Sequence, residues 1–311
     1  MLDGFDLGIG VLSLFVREHE RRGIMMASLS SVCDANETWL VVLGGALFGA
    51  FPMVYAIVLN ALYLPIVVMI FALIFRGVAF EFREHSRPRL WDFAFGIGSL
   101  IAALCQGFVL GGLIAGPTAH DGRFAGGPFE WFSPFSVLVA FGVVFGYVLL
   151  AATYIIVKTE GVSQKHGIAT AWIAGALMLA AAAGVSIWTP ILDPVVAEKW
   201  FGNGVITAFV IAPIFALFCS AMLARALLRY QEHAPFVWSV GIFLASLIGL
   251  ASSLYPDLVP RAVTASEAAS DSFTLVFMML GIGLLIPVMI AYNVYQYFVF
   301  RGKVTSSHYG G

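Results

Sequence analysis

Asp34 and Glu37 stand three residues apart in V-C-D-A-N-E-T-W-L, a spacing that places two side chains on one face of a helix. Neighbouring carboxylates raise one another's pKa and can hold a shared proton, so the pair is a candidate proton-collecting mouth. The alternative is a helix start, with Asp34 as N-cap and Glu37 completing a capping-box-like arrangement. Both readings can hold at once. Asp6, within D-G-F-D-L-G, is the deepest acid in apolar sequence. A carboxylate inside a bilayer is costly unless paired or protonated, and by default marks a function. The alternative for Asp6 and its neighbour Asp3 is a solvated position at the outer surface. Tyr292, Asn293, Tyr295 and Tyr297 form an aromatic, hydrogen-bonding group next to Arg301 and Lys303. An interfacial aromatic belt explains them, and a quinone or lipid headgroup contact is the sharper alternative. Trp39 is a further candidate interface contact. Asn36-Glu37-Thr38 matches a glycosylation sequon, which its side of the membrane discounts.

Other chemistry has less support. Cys33, Cys105 and Cys219 are scattered and odd in number, which argues against a disulfide framework or a thiolate metal site. His19, His85, His120, His166, His233 and His308 all fall in loops or at span ends, where none can ligate a haem within the bilayer. The chain is therefore expected to bind no haem itself. Glycine pairs at Gly4/Gly8, Gly45/Gly49 and Gly107/Gly111 have the small-xxx-small spacing of close helix contacts. No G-x-x-x-x-G-K-[ST] phosphate loop is present.

The elements that must position these residues are membrane helices. Hydrophobic residues make up 60% of the chain and charged ones 11%, with mean hydropathy +0.94. Soluble domains carry about 25% charged residues. Only helices or closed barrels satisfy the backbone in lipid, and these long runs lack strict alternation. From Thr38 to Phe75 the chain carries no charge. These 38 residues would make a single helix of roughly 57 Å, nearly twice a bilayer core of about 30 Å, so a hairpin near Asn60 is expected. Apolar windows fall at 2–16, 39–59, 61–75, 93–115, 132–157, 168–188, 205–228, 236–255 and 273–300. Thirteen of the 16 Lys and Arg residues fall at alternate ends of these nine spans, leaving Arg123, Lys199 and Arg261 opposite. The positive-inside rule then puts the N-terminus outside and the C-terminus in the cytoplasm. The reading is one polytopic domain: two antiparallel four-helix bundles, spans one to four and five to eight, plus a ninth helix. The 15-residue first window is short for a bilayer and is expected to lack its outer half. The segments 116–131 and 189–204 are too short to fold as domains.

Five motifs in order resemble subunit II of the cytochrome bd-type quinol oxidases, including the cyanide-insensitive branch. They are D-G-F-D-L-G-I-G at Asp3–Gly10, C-D-A-N-E-T-W-L-V-V-L-G-G-A-L-F-G-A-F-P at Cys33–Pro52, R-G-V-A-F-E-F-R at Arg76–Arg83, L-L-A-A-T-Y-I-I-V-K-T-E-G at Leu149–Gly161 and Y-N-x-Y-x-Y-F-V-F-R-G-K-V at Tyr292–Val304. The resemblance implies a non-haem subunit paired with a homologous subunit I. That partner would carry haem b with haem d, or b-type haems, and the quinol site. A small single-helix accessory subunit is also possible. The complex would oxidise quinol, reduce O2 to water and sit in the bacterial cytoplasmic membrane. By motif match Asp34 lies on a cytoplasmic proton path and Asp6 on or near it, with Glu37 in support. Cys33 and Ala35 depart from the family's usual tryptophan and glycine, and the family's first helix extends further before D-G-F-D. The competing classes are a stand-alone proton-coupled secondary transporter, with Asp6 and Asp34 as coupling carboxylates, and a purely structural assembly subunit.

Overall fold

A computed structural model describes residues 2–16, 18–29, 33–83, 88–120, 122–202, 207–300 and 302–303. Arg17, Arg87 and Arg301 of the charge count, and His85 and His308, lie outside them. The helices are α1 (Leu2–Ser13), α2 (His19–Ala27), α3 (Cys33–Ala50), α4 (Pro52–Ala61), α5 (Tyr63–Phe82), α6 (Pro88–Ala115), α7 (Pro134–Lys158), α8 (Gly161–Leu192), α9 (Pro194–Phe201), α10 (Thr207–Leu228), α11 (Ala234–Leu254), α12 (Ala265–Ala268) and α13 (Ser272–Val299). Two short antiparallel hairpins, β1 (Ala119–His120) with β2 (Arg123–Phe124) and β3 (Asp257–Val259) with β4 (Val263–Thr264), complete the described secondary structure.

Among the described residues seven helical stretches are long and apolar enough to cross a membrane: Tyr63–Phe82, Arg89–Ala115, Pro134–Lys158, Gly161–Leu192, Val210–Leu228, Ala234–Leu254 and Ser272–Val299. They match the last seven expected windows. The first two windows correspond to shorter pieces. α1 has 12 residues, and the expected span 39–59 is divided into α3 and α4. The division has a local cause. Pro52 has no N–H to continue the hydrogen-bond ladder of α3, and Phe51 leaves helical geometry at φ −137°, ψ 62°. The hairpin expected near Asn60 turns at Leu62. The third span does not stop at Phe75: α5 runs on to Phe82 and draws Arg76 inside, where it is buried. The charge pattern of the sequence predicts Arg76 at a span end, and the longer helix overturns that. α6 likewise starts before its window and α8 overruns its own at both ends, while the β1–β2 hairpin lies within 116–131 and α9 within 189–204.

The centre of the molecule is α7. Ser133 caps it through a reciprocal pair with Ser136, and Pro134 occupies its first turn. α7 packs against α1, α6, α8 and α11. One core cluster gathers Phe5, Ile9, Phe95, Leu150, Tyr154 and Ile155 between α1, α6 and α7. A second joins α7 to α8, α10 and α11 through Leu149, Ile156, Ala174, Cys219, Leu223 and Ile242. α13 packs chiefly on α3 and reaches the first cluster through Tyr297, whose ring centre lies 6.5 Å from that of Phe5; the rest of it is largely outward-facing.

Polar contacts tie the helix ends. At one end Arg261 donates to the Ala115 carbonyl and meets Asp193 at 3.6 Å, while Lys199 reaches the Tyr255 carbonyl at 2.9 Å. At the other, Lys158 donates to the Phe300 carbonyl, and Lys303 bridges Glu160 at 3.0 Å and Glu232 at 2.9 Å. The hydrogen bond from Lys303, helped by one from Gln164, holds the Glu232 carboxyl below its ordinary value. The same bond to Glu232, with Glu160, holds the Lys303 ammonium above its own.

Candidate functional site: a polar cluster around α1

Glycine geometry seats α1 in the interior. A Cβ placed on Gly8 would stand 2.0 Å from the Tyr147 carbonyl oxygen, and one on Gly4 2.7 Å from the Tyr147 ring. Only glycine lets the two backbones approach this closely. On the neighbouring face a Cβ on Gly10 would stand 2.1 Å from Ser99 Oγ of α6. The Gly4/Gly8 expectation holds. So does Gly107/Gly111, where the obstacles are the Cα atoms of Ala140 and Ser136 at 2.3 and 2.6 Å. Gly45 breaks the pattern: among the described residues nothing lies within 4 Å of a Cβ placed on it, although one on Gly49 meets Met278.

Pinned between α6 and α7, α1 carries its two acids inside. Asp6 is 0% exposed and Asp3 is buried, so the solvated alternative is corrected. Asp3 Oδ1 receives Arg76 Nη1 at 3.4 Å, and the Arg76 guanidinium lies 5.3 Å from the centre of the Phe95 ring. A buried carboxylate is tolerated when a cation meets it, and this pair supplies one. Asp6 Oδ2 accepts from Asn36 Nδ2 at 2.8 Å, and Asn36 also hydrogen-bonds Tyr297. Phe5, between the two acids, stacks on Tyr154 with ring centroids 4.6 Å apart. The Tyr154 hydroxyl donates to the Ser28 carbonyl at 3.2 Å, which ties the end of α2 to α7. Asp6, Asn36 and Tyr297 thus join α1, α3 and α13.

A second cluster closes the end at which α5 finishes. Asp92, buried near the start of α6, accepts from Arg83 through Oδ1 and from Arg22 through Oδ2 at 3.1 Å. Arg22 also donates to the Val16 carbonyl at 2.6 Å, so one carboxylate fixes α2, α5 and α6 together.

The expected site residues divide accordingly. Asp34 and Glu37 fall in the first turns of α3, and their side chains lie outside the described ones. The helix begins at Cys33, so Asp34 sits within its first turn rather than at its cap, where the positive helix terminus still favours an acid. Trp39 is half-buried, and its Nε1 meets no acceptor among the described residues. Asn293 faces inward, donating Nδ2 to the Met289 carbonyl at 2.9 Å. Tyr292 and Tyr295 are 53% and 65% exposed and face outward. The terminal aromatic group is therefore two faces of one helix, with Asn293 and Tyr297 on the inward one. Sequence reasoning missed Arg76, Asn36 and Asp92 as interior residues. Arg76 and Asn36 lay inside the quoted motifs, and that was the available signal.

Among the described residues no His, Cys, Asp and Glu group could hold a metal ion. The described histidines sit at helix ends or in a hairpin: His19 opens α2, His120 lies in β1, His166 is in the first turns of α8 and His233 precedes α11. They do not fit the axial ligand of a haem within the bilayer.

The family model for cytochrome bd terminal oxidase subunit II matches residues 1–300. The chain is 28% identical to cytochrome bd-I ubiquinol oxidase subunit 2 of Escherichia coli (strain K12), over 97% of this chain and 90% of that one. It is also 28% identical to cytochrome bd ubiquinol oxidase subunit 2 of Bacillus subtilis (strain 168), over 98% and 92%. The bd oxidase structure from Geobacillus thermodenitrificans shares the fold at TM-score 0.73 and 18% identity, over 96% of this chain and 93% of that one. With buried acids on a helical membrane scaffold and a family match over nearly its whole length, the chain belongs to the cytochrome bd terminal oxidase subunit II family, as one subunit of an oxidoreductase complex.

Proposed function

We propose that this chain is the non-haem subunit of a quinol:O2 oxidoreductase in the bacterial cytoplasmic membrane. It would pair with a haem-bearing subunit I, with room for a small single-helix accessory subunit. The family match over residues 1–300 carries the reading. The relatives are named as ubiquinol oxidase subunits, which supports quinol and O2 as substrates of the complex. Haem b with haem d, or b-type haems, would sit in subunit I and supply the redox chemistry. In the membrane, α1, the α3–α4 pair, α5 and α6 would form the first bundle of spans. α7, α8, α10 and α11 would form the second, and α13 would stand as the ninth span. The N-terminus would face outside and the C-terminus the cytoplasm, with the Arg83–Asp92–Arg22 cluster on the cytoplasmic side.

Within that frame Asp34 and Asp6 would line a cytoplasmic proton path, with Glu37 in support. The Asn36 hydrogen bond holds Asp6 at a fixed place inside the protein, which is the geometry a proton-exchanging carboxyl requires. Tyr292 and Tyr295, which face outward, would serve as the contact to subunit I, lipid or quinone. Trp39 and Asn293 turn toward the interior instead. A stand-alone proton-coupled transporter has less support, because the relatives are named as oxidase subunits.

The test is Asp34→Asn in the assembled two-subunit oxidase. We expect O2 consumption and proton uptake to fall together while haem content holds, with Asp34→Glu retaining part of both. Unchanged uptake in Asp34→Asn would remove Asp34 from the path. Purification of this chain alone as a stable, transport-competent protein would instead favour the transporter.

A further inference from the structure

A cleft of about 230 Å3 opens where the α4–α5 turn, the last turns of α6 and α8 and the start of α7 meet. These are the ends of four membrane spans, the level at which tryptophan meets lipid headgroups. Leu62, Trp131, Phe135, Trp188 and Leu192 wall the cleft. Its walls are held in place. Trp131 packs edge-on against Phe108 with ring centres 5.3 Å apart, and Phe135 packs edge-on against Trp188 at 6.0 Å. A Cβ on Gly112 would stand 2.7 Å from Leu62 Cδ2, so α6 and the α4–α5 turn close one side without slack. Water fills such a space poorly, because each molecule needs two to four polar partners and these walls are largely apolar.

One guanidinium and one carboxylate flank the cleft, and both rest on the segment 115–118. Ala115 and Gly116 line it, and Gly116 sits at φ +78°. Without a Cβ there, Arg261 comes close: its Nη2 donates to the Ala115 carbonyl and would stand 2.8 Å from a Cβ on Gly116. Arg261 Nε meets Asp193 at 3.6 Å, while Nη1 meets no acceptor among the described residues. Glu130, also a lining residue, accepts from the Thr118 N–H at 2.9 Å and from the Thr118 hydroxyl, both through Oε1. Its Oε2 accepts nothing among the described residues. Two neighbouring donors are already engaged, Trp131 Nε1 with the Pro128 carbonyl at 3.1 Å and the Ser133 hydroxyl in the α7 cap. A fitting ligand therefore brings a cation with hydrogen-bond donors for Glu130, an anion for Arg261 and an apolar body for the tryptophans. A quinone or quinol carries no charge for either group.

We infer that this cleft binds one zwitterionic phospholipid with a primary-amine headgroup. The ammonium meets Glu130 Oε2 beside the Trp131 and Trp188 rings, and the phosphate meets Arg261 Nη1. The first acyl carbons lie along Leu62, Phe135 and Leu192, and the rest of the chains stays in the bilayer. The site uses none of the residues given a proton role above.

The test uses the assembled two-subunit oxidase, stripped of lipid in detergent and titrated with deuterated phosphatidylethanolamine or phosphatidylglycerol. Native mass spectrometry counts the bound lipid. Phosphatidylglycerol keeps the phosphate and lacks the amine. We expect wild type to hold one ethanolamine lipid about tenfold more tightly than the glycerol lipid, a difference of about 1.4 kcal/mol or one hydrogen bond. Glu130→Gln should abolish that preference, and Arg261→Gln should weaken both lipids alike. An unchanged preference in Glu130→Gln would overturn the inference. So would soluble phosphoethanolamine that competes as well as the lipid, since the headgroup alone would then be the ligand. A measurement on the unaltered complex guards against variants that fail to assemble. Phosphatidylethanolamine carrying a diazirine on its first acyl carbons should, on irradiation, label Trp188 or Leu192. Labelling that misses both residues would refute the site, as would a density map of the complex showing a quinone or a partner side chain in the cleft.

Discussion

Gly8→Ala is the sharpest single change for the packing that seats Asp6. The added Cβ would lie 2.0 Å from the Tyr147 carbonyl oxygen, 2.5 Å from its carbon and 2.8 Å from Ala151 Cβ. A carbon rarely approaches a carbonyl oxygen closer than about 3.3 Å, so α1 must retreat from α7 by roughly 1 Å or more. Two of the atoms it meets are backbone of the most central helix, which cannot turn aside as a side chain could. Overpacking of this kind costs about 1–3 kcal/mol. A retreat of that size also strains the 2.8 Å bond between Asp6 and Asn36, whose loss adds about 1 kcal/mol. At roughly 2–4 °C per kcal/mol the unfolding midpoint should fall by about 5–15 °C. The assay is thermal unfolding of the purified complex read with a thiol-reactive dye, which reports exposure of the buried thiols of Cys105 and Cys219. The control is Gly175→Ala in α8, where among the described residues the Cβ meets only Leu149 Cδ1 at 3.7 Å, an ordinary contact. It should be neutral or slightly stabilising, because alanine is the better helix former. Equal midpoints for the two variants would refute the account of how α1 is seated.

Arg76→Met should destabilise the complex by about 3–5 kcal/mol, because it leaves the Asp3 carboxylate buried without its cation. Adding Asp3→Asn to it should recover much of the loss, and additive losses in the double variant would disprove the pairing. The Lys303 clasp makes stability depend on pH. Glu232 is held below its ordinary value, so its contribution is present above the ordinary carboxylate range and is lost as pH falls through the folded value. Wild type should therefore outlast Glu232→Gln in thermal unfolding at neutral pH. The two curves should converge only as pH falls below the folded Glu232 value, itself under the ordinary glutamate value of about 4.3, and a gap that persists in strong acid would contradict the clasp.

What the sequence disclosed and what it hid follow from the range of the interactions concerned. Seven apolar windows correspond to helices because their signal is local, namely a run of side chains that lipid accepts. The break at Phe51–Pro52 was also local, in a proline that removes a ladder donor, yet the length of the apolar run outweighed it. Asp6 was legible as an interior acid because it lies among apolar residues. Its partners were not, since Asn36 is 30 positions away and Tyr297 lies on the last helix. The glycine pairs show the same limit. Gly4/Gly8 and Gly45/Gly49 have identical spacing, yet a Cβ on Gly8 would meet a backbone carbonyl and one on Gly45 would meet none of the described residues within 4 Å. Spacing defines a small-residue face, but only the fold decides what lies against it.

Arg76 shows where a stricter argument could have been made. It directly follows a run of apolar residues, and such a charge marks either the end of a span or a partner within it. Counting basic residues at span ends favoured the first reading, and on that count alone nothing distinguishes Arg76 from Arg83. The acids distinguish them. Two carboxylates in α1 require compensation inside the protein, and the cation that meets one of them must lie within a span rather than beyond it. Arg76 is the first charge after Phe75, six positions before the end of α5 and about 9 Å inside that end by helical rise. Arg83, one position past that end, is free to meet Asp92 at the start of the next helix, and it does. The two arginines of one motif thus do different work because opposite charges await them at different depths. In a chain with so few charges, acids and bases have to be assigned to one another before either is assigned to a membrane surface.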